Sequence, residues 1–377
     1  MKGYLDDLVA IDLPRKMVLV TGPRQVGKTT LCRHLMERFS PSQYLNWDVA
    51  PDRVILLRQS WNSRTRLLAM DEIQKMPAWK NWLKGVADGR SPEQALLVTG
   101  SARMDTWRQS GDSLAGRYLA YRLHPISVRE WCEQQGGSAA AALDRLMSRG
   151  GFPEPCLAEN PDDADRWRLQ YFTDLIREDI VEFSRLHELR AMRLFVELLR
   201  ERVGSPLSLA SIARDLAVSP TTLKRYLEIL QALYIVFTVQ PWHHNVARAI
   251  LQTPKIYFFD TGLVRGDEGI RFENAVATML LKHVHFRQDS RGKDAGLHYI
   301  RTKDGSEVDF VLSENKQLTH LIECKLTDSA LHRPLASFAG KFPAAEAVQL
   351  VHSLRQEESR ASVRIADAAG WLAALDA

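Results

Sequence analysis

Short apolar runs separated by amphipathic stretches fill the first third of the chain. Met17-Val18-Leu19-Val20, Leu67-Leu68-Ala69-Met70 and Ala95-Leu96-Leu97-Val98 are apolar throughout and bounded by turn or charged residues. Strands buried on both faces of a parallel sheet read this way, so residues 15–122 predict an α/β domain. From about residue 125 to 202 the strand signal disappears. Residues 167–182 and 191–202 instead carry apolar side chains at helical spacing, which predicts a helical lid or connector. Residues 208–239 read as helix, turn, helix and then the apolar run Tyr234-Ile235-Val236-Phe237, and beyond Lys255 strands and helices mix again. The expected partition is 1–124, 125–190, 191–245 and 246–377.

Composition narrows the class. The chain has 377 residues, 45% hydrophobic and 25% charged, the balance of a folded globular protein and too long for one ordinary core. Lys plus Arg exceed Asp plus Glu by 50 − 46 = +4, a mild excess that permits nucleic acid as a partner without requiring it. Cys32, Cys132, Cys156 and Cys324 form no CxxC pair, which argues against a zinc site or a disulfide framework. No apolar run approaches the ~18 residues of a membrane span, and Asp6-Asp7 stand where a leader would be apolar. These features predict a cytoplasmic protein that makes no membrane contact.

The strongest chemical signal is Gly22-Pro23-Arg24-Gln25-Val26-Gly27-Lys28-Thr29-Thr30, a G-x-x-x-x-G-K-[ST] phosphate loop directly after a strand. Its glycines let backbone N–H groups curl around phosphate oxygens, and the helix that follows adds its positive N-terminal end. Lys28 is expected to reach the β- and γ-phosphates and Thr29 to offer its hydroxyl to Mg²⁺. The strand 67–70 ends in Asp71-Glu72. Asp71 is placed to hold Mg²⁺, and Glu72 to orient or deprotonate an attacking water. The strand 96–99 ends in Gly100-Ser101, so Thr99 or Ser101 can reach the γ-phosphate or serve as a plain turn residue. The guanine-recognising pattern Asn-Lys-x-Asp is missing, since Asn315-Lys316 runs into Gln317-Leu318, which favours ATP over GTP.

The phosphate loop, Asp71-Glu72-Ile73-Gln74-Lys75-Met76-Pro77, Thr99-Gly100-Ser101, Ser113-Leu114-Ala115-Gly116-Arg117, Gly150-Gly151-Phe152-Pro153 and Lys255-Ile256-Tyr257-Phe258-Phe259-Asp260-Thr261-Gly262-Leu263 occur in that order. Together they resemble a family of prokaryotic AAA-like ATPases with a carboxy-terminal domain of unknown function. The resemblance covers nearly the whole chain and departs at Ala102, where a second serine is expected, so sensor chemistry rests on Ser101. It implies that Arg117 is an arginine finger or sensor acting on the γ-phosphate, against the plainer reading of a salt bridge at the lid. A ring of subunits, with Arg117 acting across them, and a monomer both stay open.

Residues 207–233 have the pattern of a winged helix-turn-helix. Ser219 is a good N-cap and Pro220 suits a first helical position. Leu223, Leu227 and Leu230 then form the buried face, leaving Thr221, Thr222, Lys224 and Arg225 for a DNA groove or a protein partner.

Near the carboxyl end, residues 297–312 read as a β-hairpin turning through Lys303-Asp304-Gly305, followed by the strand 321–326. A period of two sets Glu323 and Lys325 on one face. Asp309 on the adjacent strand can meet Glu323 on Mg²⁺, with Lys325 positioning a water and Glu273, on a helix, as a third carboxylate. The V-D-F strand followed by E-x-K resembles the PD-(D/E)xK restriction-endonuclease-like fold. That resemblance implies a metal-dependent DNA nuclease, against an inherited scaffold whose charges form a buried salt-bridge cluster or a site that holds DNA without cutting it. The expected fold class is α/β: a P-loop NTPase domain with a helical lid, a winged helix and an endonuclease-like α/β domain. The nine tryptophans are dispersed and read as packing, and His243-His244 as a surface turn.

Overall fold

A computed structural model describes residues 2–100, 114–181, 186–243, 253–302, 304–327 and 330–377. The chain divides into two compact units, Met1–His124 and Pro125–Ala377.

The first unit is built on a five-stranded sheet of β1 (Met17–Thr21), β2 (Ser42–Asn46), β3 (Leu67–Asp71), β4 (Ala95–Gly100) and β5 (Tyr118–Arg122), ordered β2-β3-β4-β1-β5. Every pairing is parallel. The three apolar runs are β1, β3 and β4, buried along their whole length, because helices such as Lys28–Arg38 and Trp79–Gly89 connect them. β2 and β5 lie at the edges, and their half-buried, mixed sequences carry no apolar run. The chain passes from β1 to the far edge and returns through β3 and β4. The carboxyl end of β1 is thus a topological switch point, the usual place for a ligand in an open α/β sheet.

The second unit opens with helices Val128–Gln135, Ala139–Arg149, Pro153–Leu157, Pro161–Val181 and Leu186–Arg200, then Leu209–Asp215 and Pro220–Ala232. An eight-stranded mixed sheet follows: β6 (Val236–Pro241), β7 (Lys255–Phe258), β8 (Ala295–Arg301), β9 (Glu307–Glu314), β10 (Gln317–Thr327), β11 (Glu346–Ser353), β12 (Glu358–Arg360) and β13 (Val363–Asp367), ordered β12-β13-β11-β10-β9-β8-β6-β7. β6 pairs antiparallel with β7 along its first part and parallel with β8 at Gln240 and Pro241. One sheet thereby joins the segment after the helix pair to the hairpin β8–β9.

Two sequence motifs of the resemblance meet in a buried joint of this unit. Arg168, on helix Pro161–Val181, donates from Nε to Asp260 Oδ2 (2.9 Å), from Nη1 to Asp165 (2.8 Å), and from Nη2 to the Arg149 carbonyl. The other Asp260 oxygen accepts the Gly262 N–H (3.1 Å). Burial raises the Asp260 pKa, with Arg168 acting against it. Gly150 has φ +71°, and a Cβ there would lie 1.7 Å from Asp260 Oδ1, so only glycine fits. Gly150 and Asp260 are therefore packing residues that hold the helical segment against the strand segment.

Candidate nucleotide and carboxylate sites

β1 delivers the chain into the phosphate loop at Thr21. Gly22 has φ +153°, and a Cβ on it would sit 2.4 Å from the Leu123 carbonyl oxygen. Gln25 (φ 59°) and Gly27 (φ 107°) are also left-handed, which coils the loop before the helix begins at Lys28. The Lys28 ammonium is buried and donates to the Gly22 (2.9 Å) and Pro23 (2.5 Å) carbonyls. Burial pulls its pKa down to about 8, with the Glu72 and Asp71 charges opposing. A buried lysine hydrogen-bonded to loop carbonyls, with a depressed pKa, is ready for an anion. Thr29, Thr30 and Gln25 are exposed, Arg24 is partly so, and Pro23 and Val26 are buried.

Asp71 ends β3 and is buried. Its Oδ1 accepts the Thr99 hydroxyl (2.6 Å) and the Glu72 N–H (3.1 Å), and its Oδ2 accepts the Tyr44 hydroxyl (2.5 Å). Thr29 hydrogen-bonds the same phenol, whose pKa is raised by burial and by Asp71. Tyr44 thus stands between the two residues expected to hold Mg²⁺. All the donors there are oxygens, which fits that hard cation. Cys32 Sγ lies 3.9 Å from Thr99 Oγ1, and burial pushes its thiol up to about 12.

Glu72 adopts φ 56°, turning the chain out of β3. Its carboxylate accepts Gln74 Nε2 (2.9 Å) and lies 3.4 Å from Lys75 Nζ, which also bonds Asp48 (2.5 Å). Around the phosphate loop, Tyr44, Gln74 and Lys75 are among the residues that have no role in the sequence reading. For Gln74 and Lys75 the signal is their place two and three residues after Glu72 in a quoted motif. Arg117 forms a two-point pair with Asp88 (2.7 and 3.1 Å), which raises its pKa. Ser101 and Ser113 lie outside the described residues.

In the second unit, β9 and β10 run antiparallel with Ile322 opposite Phe310, which brings Asp309 beside Glu323. Lys325 Nζ donates to Glu323 Oε1 (2.7 Å), and His332 Nδ1 lies 3.3 Å from the same oxygen. Asp309 Oδ2 accepts the Cys324 N–H (3.0 Å). Glu273 projects from helix Glu268–Arg291 and accepts the Tyr257 hydroxyl (2.7 Å). Lys255, the first residue of β7, reaches Glu307 (2.5 Å), Glu273 (3.5 Å) and Asp309 (3.7 Å). Burial, Glu273 and Glu323 push the Asp309 pKa well up while Lys255 pulls it down. Among the described residues no three His, Cys, Asp or Glu side chains converge as a metal site.

In the helix pair, Ser219 caps Pro220–Ala232 by accepting the Thr222 N–H (3.0 Å). Leu223, Leu227 and Leu230 are buried, joined by Tyr226. Thr221, Lys224 and Arg225 are exposed. The Thr222 hydroxyl is bonded to Ser219 Oγ (2.8 Å) and so belongs to the cap.

Residues 14–132 match the AAA domain family, while residues 140–271 and 268–369 match two domains of unknown function, DUF8612 and DUF4143. Uncharacterized proteins of Mycobacterium bovis and Mycobacterium tuberculosis are each 33% identical over 256 residues. That alignment takes in 67% of this chain and 56% of theirs, so the chain spans little more than half of these relatives. A solved Thermotoga maritima RuvB variant is 18% identical, with a TM-score of 0.33, covering 62% of this chain and 86% of that one. Among the described residues no helix is long and apolar enough to cross a membrane. Residues 14–132 of this mixed α/β chain are thus similar to the AAA domain family and contain the phosphate loop, and they are followed by two stretches that match families with no assigned function.

Proposed function

We propose that the protein hydrolyses ATP with Mg²⁺ and acts on DNA, the nucleotide state of residues 1–124 being coupled through a helical connector (125–190) to a winged helix (191–245) and a nuclease-like part (246–377). The observation that carries the ATP reading is the buried Lys28 ammonium, which among the described residues is hydrogen-bonded to the Gly22 and Pro23 carbonyls. Phosphate oxygens are better partners for it than carbonyls, because the bond becomes charge-assisted on both sides. Thr29 and Asp71 would hold Mg²⁺, which neutralises charge on the β- and γ-phosphates. Glu72, once released from Gln74 and Lys75, orients the attacking water, and Ser101 and Arg117 face the γ-phosphate. The exposed Thr221, Lys224 and Arg225 on a capped helix support a DNA contact.

Phosphate release from ATP tests this. Lys28→Ala abolishes nucleotide binding, and Glu72→Gln keeps binding but lowers turnover by at least about a hundredfold, within the range of a lost general base. Wild-type turnover in Glu72→Gln removes the base assignment. Duplex affinity that falls steeply with salt supports the DNA partner, and a salt-independent value removes it.

A second reading, a switch that binds a DNA or protein partner and cuts nothing, is favoured by the lodging of Lys255 among Glu273, Glu307 and Asp309. Plasmid, linear and single-stranded DNA incubated with Mg²⁺ or Mn²⁺ separate the readings. Cutting that is lost in Asp309→Ala supports the nuclease, and intact DNA under every condition supports the switch.

A further inference from the structure

The endonuclease-like resemblance implies a divalent metal between Asp309 and Glu323, with Glu273 nearby. The side chains present do not fit one. Lys255 is 1% exposed. Its ammonium contacts Glu307 at 2.5 Å and lies 3.5 Å from Glu273 and 3.7 Å from Asp309, with the Tyr299 ring centroid 5.4 Å away. The Tyr299 hydroxyl donates to the Thr253 carbonyl (2.6 Å), which fixes that wall of the enclosure. Both Asp309 oxygens are engaged, one facing Lys255 and the other taking the Cys324 N–H. Glu273 is held by the Tyr257 hydroxyl, and Gly204 packs so closely that a Cβ on it would lie 2.8 Å from the carboxylate. Glu323 is drawn the other way, to Lys325 and His332.

We infer that Lys255 is the resident cation of this centre, and that Glu273, Glu307 and Asp309 hold its ammonium in place of a divalent metal. A buried ammonium requires anions, and here three half-buried carboxylates supply them from within the chain. Mg²⁺ needs near-octahedral oxygens at about 2.0–2.1 Å. To gather them it would have to expel a tethered charge that three carboxylates surround. The lysine therefore fastens β7 to β9 and to helix Glu268–Arg291. Among the described residues Glu323 Oε2 is buried without a hydrogen-bond partner, so it is where a metal would be found if one did enter.

The test is Mn²⁺ uptake by the full chain carrying Lys28→Ala, without nucleotide, followed by electron paramagnetic resonance. The lysine-intact protein is expected to take up no Mn²⁺ at this centre. Lys255→Met is expected to gain about one Mn²⁺ per chain and to lose it again when Asp309→Asn is added. Uptake by the lysine-intact protein that Asp309→Asn or Glu323→Gln abolishes overturns the inference, and so does a folded Lys255→Met protein that takes up none. The lysine-intact measurement decides the matter even where Lys255→Met fails to fold. The inference deepens the non-cleaving reading, and since the readout is metal uptake, its failure is distinguishable from the failure of that reading.

Discussion

Two buried lysines show how one side chain serves opposite ends. Lys28 lies at the head of a helix with carbonyl oxygens as its partners, and burial lowers its pKa to about 8. Lys255 lies at the head of a strand; burial works against its charge too, but Glu273, Asp309 and Glu307 outweigh it and the pKa rises. The first site is short of negative charge and the second already has it. Burial alone does not mark a lysine as functional. What distinguishes the two is whether the counter-charge comes from the chain or must arrive with a ligand.

The largest expected effect sets the two directly against each other in the nucleotide-free protein. Lys255→Met leaves three carboxylates without their cation, and breaking a buried pair in this way costs about 3–5 kcal/mol. Calorimetry should show a fall of roughly 10 °C at about 2–4 °C per kcal/mol. Lys255 has a raised folded-state pKa, so its contribution is complete below its ordinary value of 10.5 and is lost only above it. The titration of Lys255 itself thus adds no difference between pH 7 and pH 9. For Lys28 the sign reverses. The folded protein gives up that proton more readily than the unfolded chain, so burying the ammonium destabilises below pH 8, and the penalty disappears as pH rises to 10.5. Lys28→Met should melt higher than wild type at pH 7, by on the order of 3 kcal/mol, with the gain shrinking towards pH 10. Shifts of the same sign in both variants would break the comparison.

The next effect sharpens it from the ligand side. ATP needs Lys28 charged, and in the free protein half the charge is gone at about pH 8. Above that value binding must take up a proton, so affinity should fall by up to about tenfold per pH unit. Titration calorimetry in buffers of different ionisation enthalpy reads the proton directly. Lys28→Arg, whose guanidinium keeps its charge, should flatten the profile. A profile already flat in wild type would mean that phosphate binding does not draw on this lysine.

How much of this the residues foretold depends on distance along the chain. The phosphate loop is legible because its geometry is local: Gly22 and Gly27 take left-handed torsions within one turn, and β1, β3 and β4 are apolar because helices cover both faces. The Glu323–Lys325 pair is legible from strand alternation. Lys255 reads only as the first residue of a motif of the resemblance, and tertiary packing gives it three carboxylates, from a helix and a strand further on. Gly150 and Asp260 enter the sequence reading only as members of motifs that carry the family resemblance. A Cβ on Gly150 would lie 1.7 Å from Asp260 Oδ1, a packing constraint that no spacing rule reports. β2 and β5 escaped because edge strands carry mixed patterns, and Tyr44 was hidden with β2.

Tyr44 gives the smallest effect and the finest version of the contrast. Like the carbonyls around Lys28, its hydroxyl is a neutral internal partner, standing between Thr29 and Asp71 where the metal on the nucleotide would come. Such a partner is a placeholder that an incoming cation displaces, whereas the partners of Lys255 are charges that resist displacement. Tyr44→Phe removes the hydroxyl and leaves the ring, freeing Asp71 Oδ2. The Mg²⁺ concentration for half-maximal hydrolysis should fall about fivefold, the equivalent of the ~1 kcal/mol net worth of one hydrogen bond, with kcat nearly unchanged. A rise in that concentration would instead make Tyr44 an orienting partner that keeps Asp71 aimed at the metal. The two lysine sites would then differ in charge alone and not in how readily their internal partners give way.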